Sequence, residues 1–209
     1  EPINYQGVKY ARSSVKYARV PLIEYLTERG LDVPEQLNAL LHHMPVGTFI
    51  AGGSVAALVA SVVNAPGKLL ASDIDLFFQN EAAFEAAVKL LGFAGKEVTG
   101  PQVPEGVRMF APPADHEGLP VQAINITWFE DIEQLVDGFD FTATQFAIDV
   151  GSKERVFNPV SPADYALGRL LNHRFEGDEA SHKRIAKYIL KGFRPVGDTL
   201  QRAQELGLC

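Results

Sequence analysis

Apolar and polar positions follow two rhythms along this chain, and each change of rhythm marks an element. Thr48-Phe-Ile-Ala51 is a short apolar run ended by Gly52-Gly53, a pair that permits a tight turn. An apolar, helix-like run follows. Ser72-Asp-Ile-Asp-Leu-Phe-Phe78 then alternates with period two, which predicts a strand. Residues 48–80 therefore read as strand, glycine turn, helix and strand. Between turn and acids, the Asn64-Ala-Pro-Gly-Lys68 segment reads as a loop.

The flanks read more simply. Helices are predicted over Pro21–Glu28, stopped by Gly30, and over Pro34–His42, with Pro34 in its first turn. Asn80 suits the N-cap of a helix Glu81–Leu91 that ends at Gly92. A proline-punctuated zone follows from Gly100 to Pro120, with a strand at Val107–Ala111. Val121–Trp128 has strand composition, Asp131–Val136 makes a short helix, and Phe139–Ile148 makes another strand. From Ser161 only helices are expected: one opening on Ser161-Pro162, one over Asp178–Gly192, and one over Asp198–Leu206 with Asp198 as N-cap and Gly207 as stop. Strands alternating with helices place the chain in the α/β (α+β) class. The organisation read from this is an N-terminal arm with helices over residues 1–46, a central domain over 47–160 and a small C-terminal helical part over 161–209. Val8-Lys-Tyr-Ala-Arg12 recurs as Val15-Lys-Tyr-Ala-Arg19, which reads as a basic arm or short helix.

Composition narrows the picture without deciding it. The 209 residues, 46% hydrophobic and 22% charged, are ordinary for a soluble globular protein. A net charge of −7 disfavours broad, sequence-blind nucleic-acid binding. One cysteine, Cys209, leaves no disulfide framework and fits a reducing, cytoplasmic compartment. The sequence starts at Glu1 without a methionine, so the natural N-terminus is expected elsewhere, and no signal peptide is visible. Met44–Gly67 carries no charge, but Gly52-Gly53 interrupts it and Pro45 and Pro66 bracket it, so strand plus buried helix is preferred over a membrane span.

The chemistry concentrates at Asp73 and Asp75. Two apart on a strand, both carboxylates leave one face, while Ile74 and Leu76 point to a core. Each raises the other's proton affinity unless a cation lies between them, and a hard divalent ion with oxygen ligands resolves the conflict. The bland alternative is a pair of surface aspartates on an edge strand. An EF-hand calcium loop needs Gly and Glu where Phe78 and Phe84 stand. A haloacid-dehalogenase phosphatase carries its acids at the end of a strand, whereas this strand continues apolar. A P-loop needs Ser or Thr where Leu69 follows Gly67-Lys68. On the Ser181–Lys191 segment, Arg184, Lys187 and Lys191 share one helix face beside Tyr188, either as a solvated basic face or as an anion site.

Phe49-Ile-Ala-Gly-Gly-Ser54, a helix, and Ser72-Asp-Ile-Asp-Leu-Phe-Phe78 together resemble the polymerase-beta-like nucleotidyltransferase superfamily, although Val55–Ser72 is longer than the family's usual spacing. With Phe139-Asp-Phe-Thr and Lys183–Phe193 added, residues 48–194 are similar to small nucleotidyltransferase-like proteins of bacteriophages. The resemblance implies a mixed sheet flanked by helices with a small helical part after it. It implies that Asp73 and Asp75 bind two Mg2+ (or Mn2+) ions and that a third carboxylate completes the site. Asp140, between Phe139 and Phe141, matches that position. The alternative is that Ile124-Asn-Ile126 is the equivalent strand and places a neutral Asn125 there. Gly52, Gly53 and Ser54 would receive phosphates, and Arg184, Lys187 and Tyr188 the triphosphate tail. The reaction implied moves a nucleoside monophosphate from an NTP such as ATP to an RNA end, a protein or a small molecule, with pyrophosphate released. A phosphohydrolase using the same acids and a non-catalytic nucleotide-binding or assembly module are the other readings. Asp137 and Asp149 are left outside the site, no membrane partner is expected, and oligomeric state is not legible.

Overall fold

A computed structural model describes residues 12–28, 30, 32–60, 72–114, 117–174 and 179–209. The frame is an eight-stranded mixed sheet. Its strands in chain order are β1 (Ala18–Pro21), β2 (Thr48–Ala51), β3 (Ile74–Phe78), β4 (Lys96–Val98), β5 (Val107–Ala111), β6 (Val121–Trp128), β7 (Phe146–Asp149) and β8 (Glu154–Phe157), and they lie in the order β1-β8-β7-β2-β3-β6-β5-β4. All neighbours run antiparallel except β3 and β6, which are parallel. A parallel pair requires a crossover, and the chain between them supplies α4 (Glu81–Ala94) with β4 and β5.

Both sheet faces are covered, and the central strands show it in their composition. All four residues of β2 are buried; Ile50 joins one apolar cluster, Phe49 and Ala51 another. An uninterrupted apolar run is what a doubly covered strand needs. On β3 the alternation works as its sequence requires: Ile74, Leu76 and Phe78 enter the first cluster, and Asp75 and Phe77 take the other face. The first cluster also receives Leu22, Tyr25 and Leu26 of α1 (Leu22–Thr27), Leu37, Leu40 and Leu41 of α2 (Glu35–His43), and Val55 and Ala56 of α3 (Gly53–Ala60). Each fully buried aliphatic side chain there contributes about 1.5–3 kcal/mol. The second cluster is closed by Ile132, Leu135 and Val136 of α5 (Ile132–Asp137), whose N-cap Asp131 accepts the Gln134 N–H at 2.9 Å.

Several expectations are corrected. Residues 18–21 do not form an arm or helix but the edge strand β1, paired with β8, where no strand is predicted from sequence. Asn80 caps α4 by accepting the Ala83 N–H at 2.9 Å, yet the helix passes Gly92 and closes at Gly95. A Cβ at Gly95 would meet the Ala111 carbonyl oxygen at 2.4 Å, so the close approach to β5 selects glycine there. Phe139–Ile148 is not one strand: a 3-10 turn over Thr142–Thr144 precedes β7. Backbone bonds from Thr144 to Phe141 and from Gln145 to Thr142 close the turn, the Thr144 hydroxyl adds a bond to the Phe141 carbonyl at 2.9 Å, and the Thr142 hydroxyl ties it to Asp164.

The C-terminal part comprises α6 (Ser161–Ala166), β9 (Arg169–Leu170), α7 (Glu179–Leu190), β10 (Arg194–Pro195) and α8 (Asp198–Glu205). It is not helices alone, because β9 and β10 pair in parallel. The cap of α8 is Gly197 rather than Asp198. Phe141, Ala143, Leu170, Ile185, Phe193 and Ala203 form a third buried cluster that holds α7 and α8 to the segment before β7. No helix among the described residues is long and apolar enough to cross a membrane. The first copy of the Val-Lys-Tyr-Ala-Arg repeat through residue 11, the Asn64–Lys68 loop and Asp178 lie outside the described residues.

Candidate functional site

The turn between β2 and α3 brings the site together. Gly52 takes φ +86°, a left-handed conformation that favours glycine, and a Cβ there would stand 3.0 Å from Asp75 Oδ2. The turn is thus shaped around the carboxylate one strand away. Antiparallel pairing of β2 and β3 sets Ala51 opposite Asp75, so the start of α3 opens beside the acids. The first N–H groups of a helix have no partner within it and favour an anion. Ser54 contributes less than its sequence position implies: its buried hydroxyl donates back to the Ala51 carbonyl at 3.4 Å. What the turn offers a phosphate is backbone.

Asp73 and Asp75 are both half-buried, and their electrostatics are those of a site awaiting positive charge. Burial and the neighbouring Asp73 push the Asp75 carboxyl up to about 7, against the pull of Lys187 and Lys191. Two oxygen-donor carboxylates, one of them disfavoured as an anion by its surroundings, fit a divalent cation. Beside them, on parallel β6, Gln122 pairs in register with Asp75 and donates its amide N–H to Asp73 Oδ2 at 3.0 Å.

α7 forms the facing wall. A Cβ built on Gly53 would lie 3.6 Å from the Tyr188 hydroxyl, which seats this helix over the glycine turn. Tyr188 is fixed by edge-on contacts with Phe141 and Phe193, and burial, with Asp75 next in effect, pushes its phenol well above the usual range. Lys191 extends over the Tyr188 ring at 5.7 Å. Burial and Lys187 lower the Lys191 ammonium, while Asp73 and Asp75 pull it the other way. Of the predicted basic stripe, Lys187 and Lys191 therefore act on the acid pair. Arg184 does not share that role, because its Nε donates to Asp140.

The candidate third positions are Asp140 and Asn125. Among the described residues, no group of three or more His, Cys, Asp or Glu side chains is placed to share a metal ion, so Asp140 does not join the pair in a three-acid cluster. It lies in the loop after α5, off any strand, with its carbonyl accepting the His173 and Arg174 N–H groups at 2.7 and 3.2 Å. Asn125 is on β6 but beyond the register with Asp75, its backbone N–H bonded to the Gly106 carbonyl at 2.7 Å. Asp149 accepts the Gly151 N–H in a local turn.

Set against known proteins, residues 29–166 match the model of the Gabija anti-defense 2 family, more than half of the chain. The chain belongs to that family. No curated protein matches this Gabija anti-defense 2 family member. Among solved structures it is similar to the Thermotoga maritima CCA-adding enzyme complexed with tRNA, at 20% identity and TM-score 0.62, over 91% of this chain and 46% of that one. Structures of the CCA-adding enzyme with ATP and with CTP match at TM-scores of 0.63 and 0.61, both at 19% identity. They are covered over 46% and 47% of their lengths by 91% and 90% of this chain. The chain spans about half the length of the structures it matches, and what they share with it is the nucleotidyltransferase fold.

Gln122 and Asp137 both escape a reading of the residues alone. Gln122 carries no signal of its own, because the register of β6 on β3 is written in neither strand. Asp137, left outside the site, is a buried hub: it accepts from the Ser13 backbone at 2.8 Å, from the Ser13 hydroxyl, from Tyr17, from His173 at 3.0 Å and from Arg174. An aspartate before a glycine at a helix end gives no hint of that.

Proposed function

We propose that this protein is a metal-dependent nucleotidyltransferase that moves a nucleoside monophosphate from an NTP to an acceptor and releases pyrophosphate. The observation that carries the reading is the placement of Asp75 on β3, with Asp73 just before it, against the Gly52–Gly53 turn and in the field of Lys187 at the end of α7 and Lys191 just after it. A bound Mg2+ or Mn2+ would activate the acceptor hydroxyl and neutralise charge developing at the α-phosphate. The chain's own groups do the rest. Asp73 and Asp75 would hold the cation, and the first N–H groups of α3 would receive phosphate. Lys187 and Lys191 compensate the triphosphate's charge, and the Tyr188 hydroxyl, held over Gly53, orients it. Solved neighbours with ATP and CTP support an NTP as donor, and the tRNA complex keeps an RNA end among the acceptors. The family's description supplies the setting, an activity directed against Gabija defence.

A second reading, a nucleotide-binding module without catalysis, is favoured by the pairing of Asp140 with Arg184 and by the lack of a three-acid group among the described residues. Calorimetric titration of each NTP with Mg2+ into the wild type and into Asp73→Asn with Asp75→Asn tests the site itself. Mg2+-dependent binding lost in the double variant is the expected result. No binding of any NTP to the wild type sinks both readings. Incubating the wild type with labelled NTP and RNA, protein or small-molecule acceptors then separates them: transfer with pyrophosphate marks the enzyme, orthophosphate a hydrolase, and intact NTP the module.

A further inference from the structure

The charge around the acid pair deepens that proposed function, on which this inference rests. Gln122 is the side chain that β6 presents across from Asp75, and its amide N–H donates to Asp73 Oδ2 at 3.0 Å. A neutral donor at that point has two effects. It engages one oxygen of Asp73 and so fixes the orientation of the other. It also leaves the acids with two negative charges, which a single divalent cation balances. Lys187 and Lys191 already bring positive charge to Asp75 from the opposite wall. No further carboxylate among the described residues is placed with the pair to hold a second ion. A second divalent cation would be opposed by the charge of Lys187 and Lys191, and Gln122, its N–H turned to Asp73, offers it a neutral oxygen at most.

We propose that Gln122 is a positioning residue that makes this a one-cation site, with Lys187 and Lys191 supplying the positive charge that a second cation would otherwise bring. A carboxylate at position 122 would point at the same place and add the missing charge.

The test is to count bound Mn2+ by electron paramagnetic resonance on the full chain saturated with an α,β-methylene triphosphate, the adenosine, cytidine, guanosine and uridine forms being tried in turn. The wild type is expected to hold one Mn2+ per chain and Gln122→Glu two. Two ions in the wild type, or one in a folded Gln122→Glu, overturns the inference. Gln122→Ala gives an independent arm if the glutamate variant does not fold. It is expected to keep one ion but to weaken its affinity about tenfold, the usual scale for losing a partner that orients a ligand. Wild-type Mn2+ affinity in that variant overturns the positioning role. If no analogue binds the wild type at all, the proposed function has failed. Binding with two ions leaves that function standing and removes only this inference.

Discussion

Asp137 and Asp75 both lose water to their surroundings, and they solve the problem in opposite ways. Asp137 is 4% exposed and receives donors from the N-terminal segment, from Tyr17 and from the loop after β9. Burial alone would raise its pKa, but hydrogen bonds from Ser13, Tyr17 and His173 overcome that and hold the carboxyl far below the usual carboxylate range. Asp75 has no such set of donors among the described residues; burial and Asp73 push it up to about 7. A carboxylate saturated by its own protein holds the fold together and has nothing left to offer a ligand. One kept short of positive charge is held ready for a partner that arrives from outside. Acid content alone would rank these residues together, and the donors around them separate their roles.

The widest separation should come from deleting each. Asp137→Ala removes the acceptor shared by Ser13, Tyr17, His173 and Arg174, and urea denaturation should show a loss of about 3–5 kcal/mol. Asp73→Asn with Asp75→Asn should leave the urea midpoint at or slightly above wild type, because it removes a like-charge conflict. In exchange it should lower nucleotidyl transfer about 10³-fold, roughly 4 kcal/mol of transition-state stabilisation. A double variant that unfolds as readily as Asp137→Ala would erase the contrast.

Gly52→Ala sharpens the comparison from the backbone side. The φ of +86° costs a non-glycine residue about 1–2 kcal/mol, and the new methyl would sit 3.0 Å from Asp75 Oδ2. Chemical denaturation should register the first effect and Mg2+ titration calorimetry the second, as weaker cation binding. A variant with wild-type cation affinity would show that the turn is not shaped around the carboxylate.

Acid titration probes the other side. The folded pKa of Asp137 lies below its unfolded value of about 3.9. Its contribution to stability is therefore fully present above about pH 4 and is lost as pH falls toward the folded value. Asp137→Asn should flatten that part of the stability curve below pH 4, read by thermal melting across pH. An unchanged acid limb would show that other carboxylates set it.

The sequence carries some of this arrangement openly and hides the rest for physical reasons. The β2 run, the Gly52 turn, the alternation of β3 and the Asn80 cap are legible because each is local: a period, a backbone requirement, a side chain reaching its own helix. Residues 139–148 mislead because Phe, Thr and Ile have strand composition, while local backbone bonds and the Thr144 hydroxyl close a turn that a contact to Asp164, distant in sequence, helps to hold. β1 and β8 are short and acquire identity only by pairing across the chain, Ala18 with Phe157. Gln122 belongs to the same class. Its meaning comes from register and from the acid it meets, not from its neighbours in sequence.

The finest distinction concerns Tyr188, which belongs to both kinds of environment at once. Its ring packs edge-on against Phe141 and Phe193 in the third cluster, and its hydroxyl lies at the Gly53 turn beside Asp75. Tyr188→Phe retains the ring and removes only the hydroxyl. If the ring serves the fold and the hydroxyl the site, the melting temperature should stay within about 2 °C, corresponding to under about 0.5 kcal/mol. NTP affinity should meanwhile fall about three- to tenfold, the scale of one neutral hydrogen bond. Tyr188→Leu should reverse the emphasis, losing stability through the aromatic contacts as well as affinity. Equal effects of Phe and Leu on NTP binding with no stability difference would break the division between the two roles. Calorimetry and thermal melts on the same two preparations decide it.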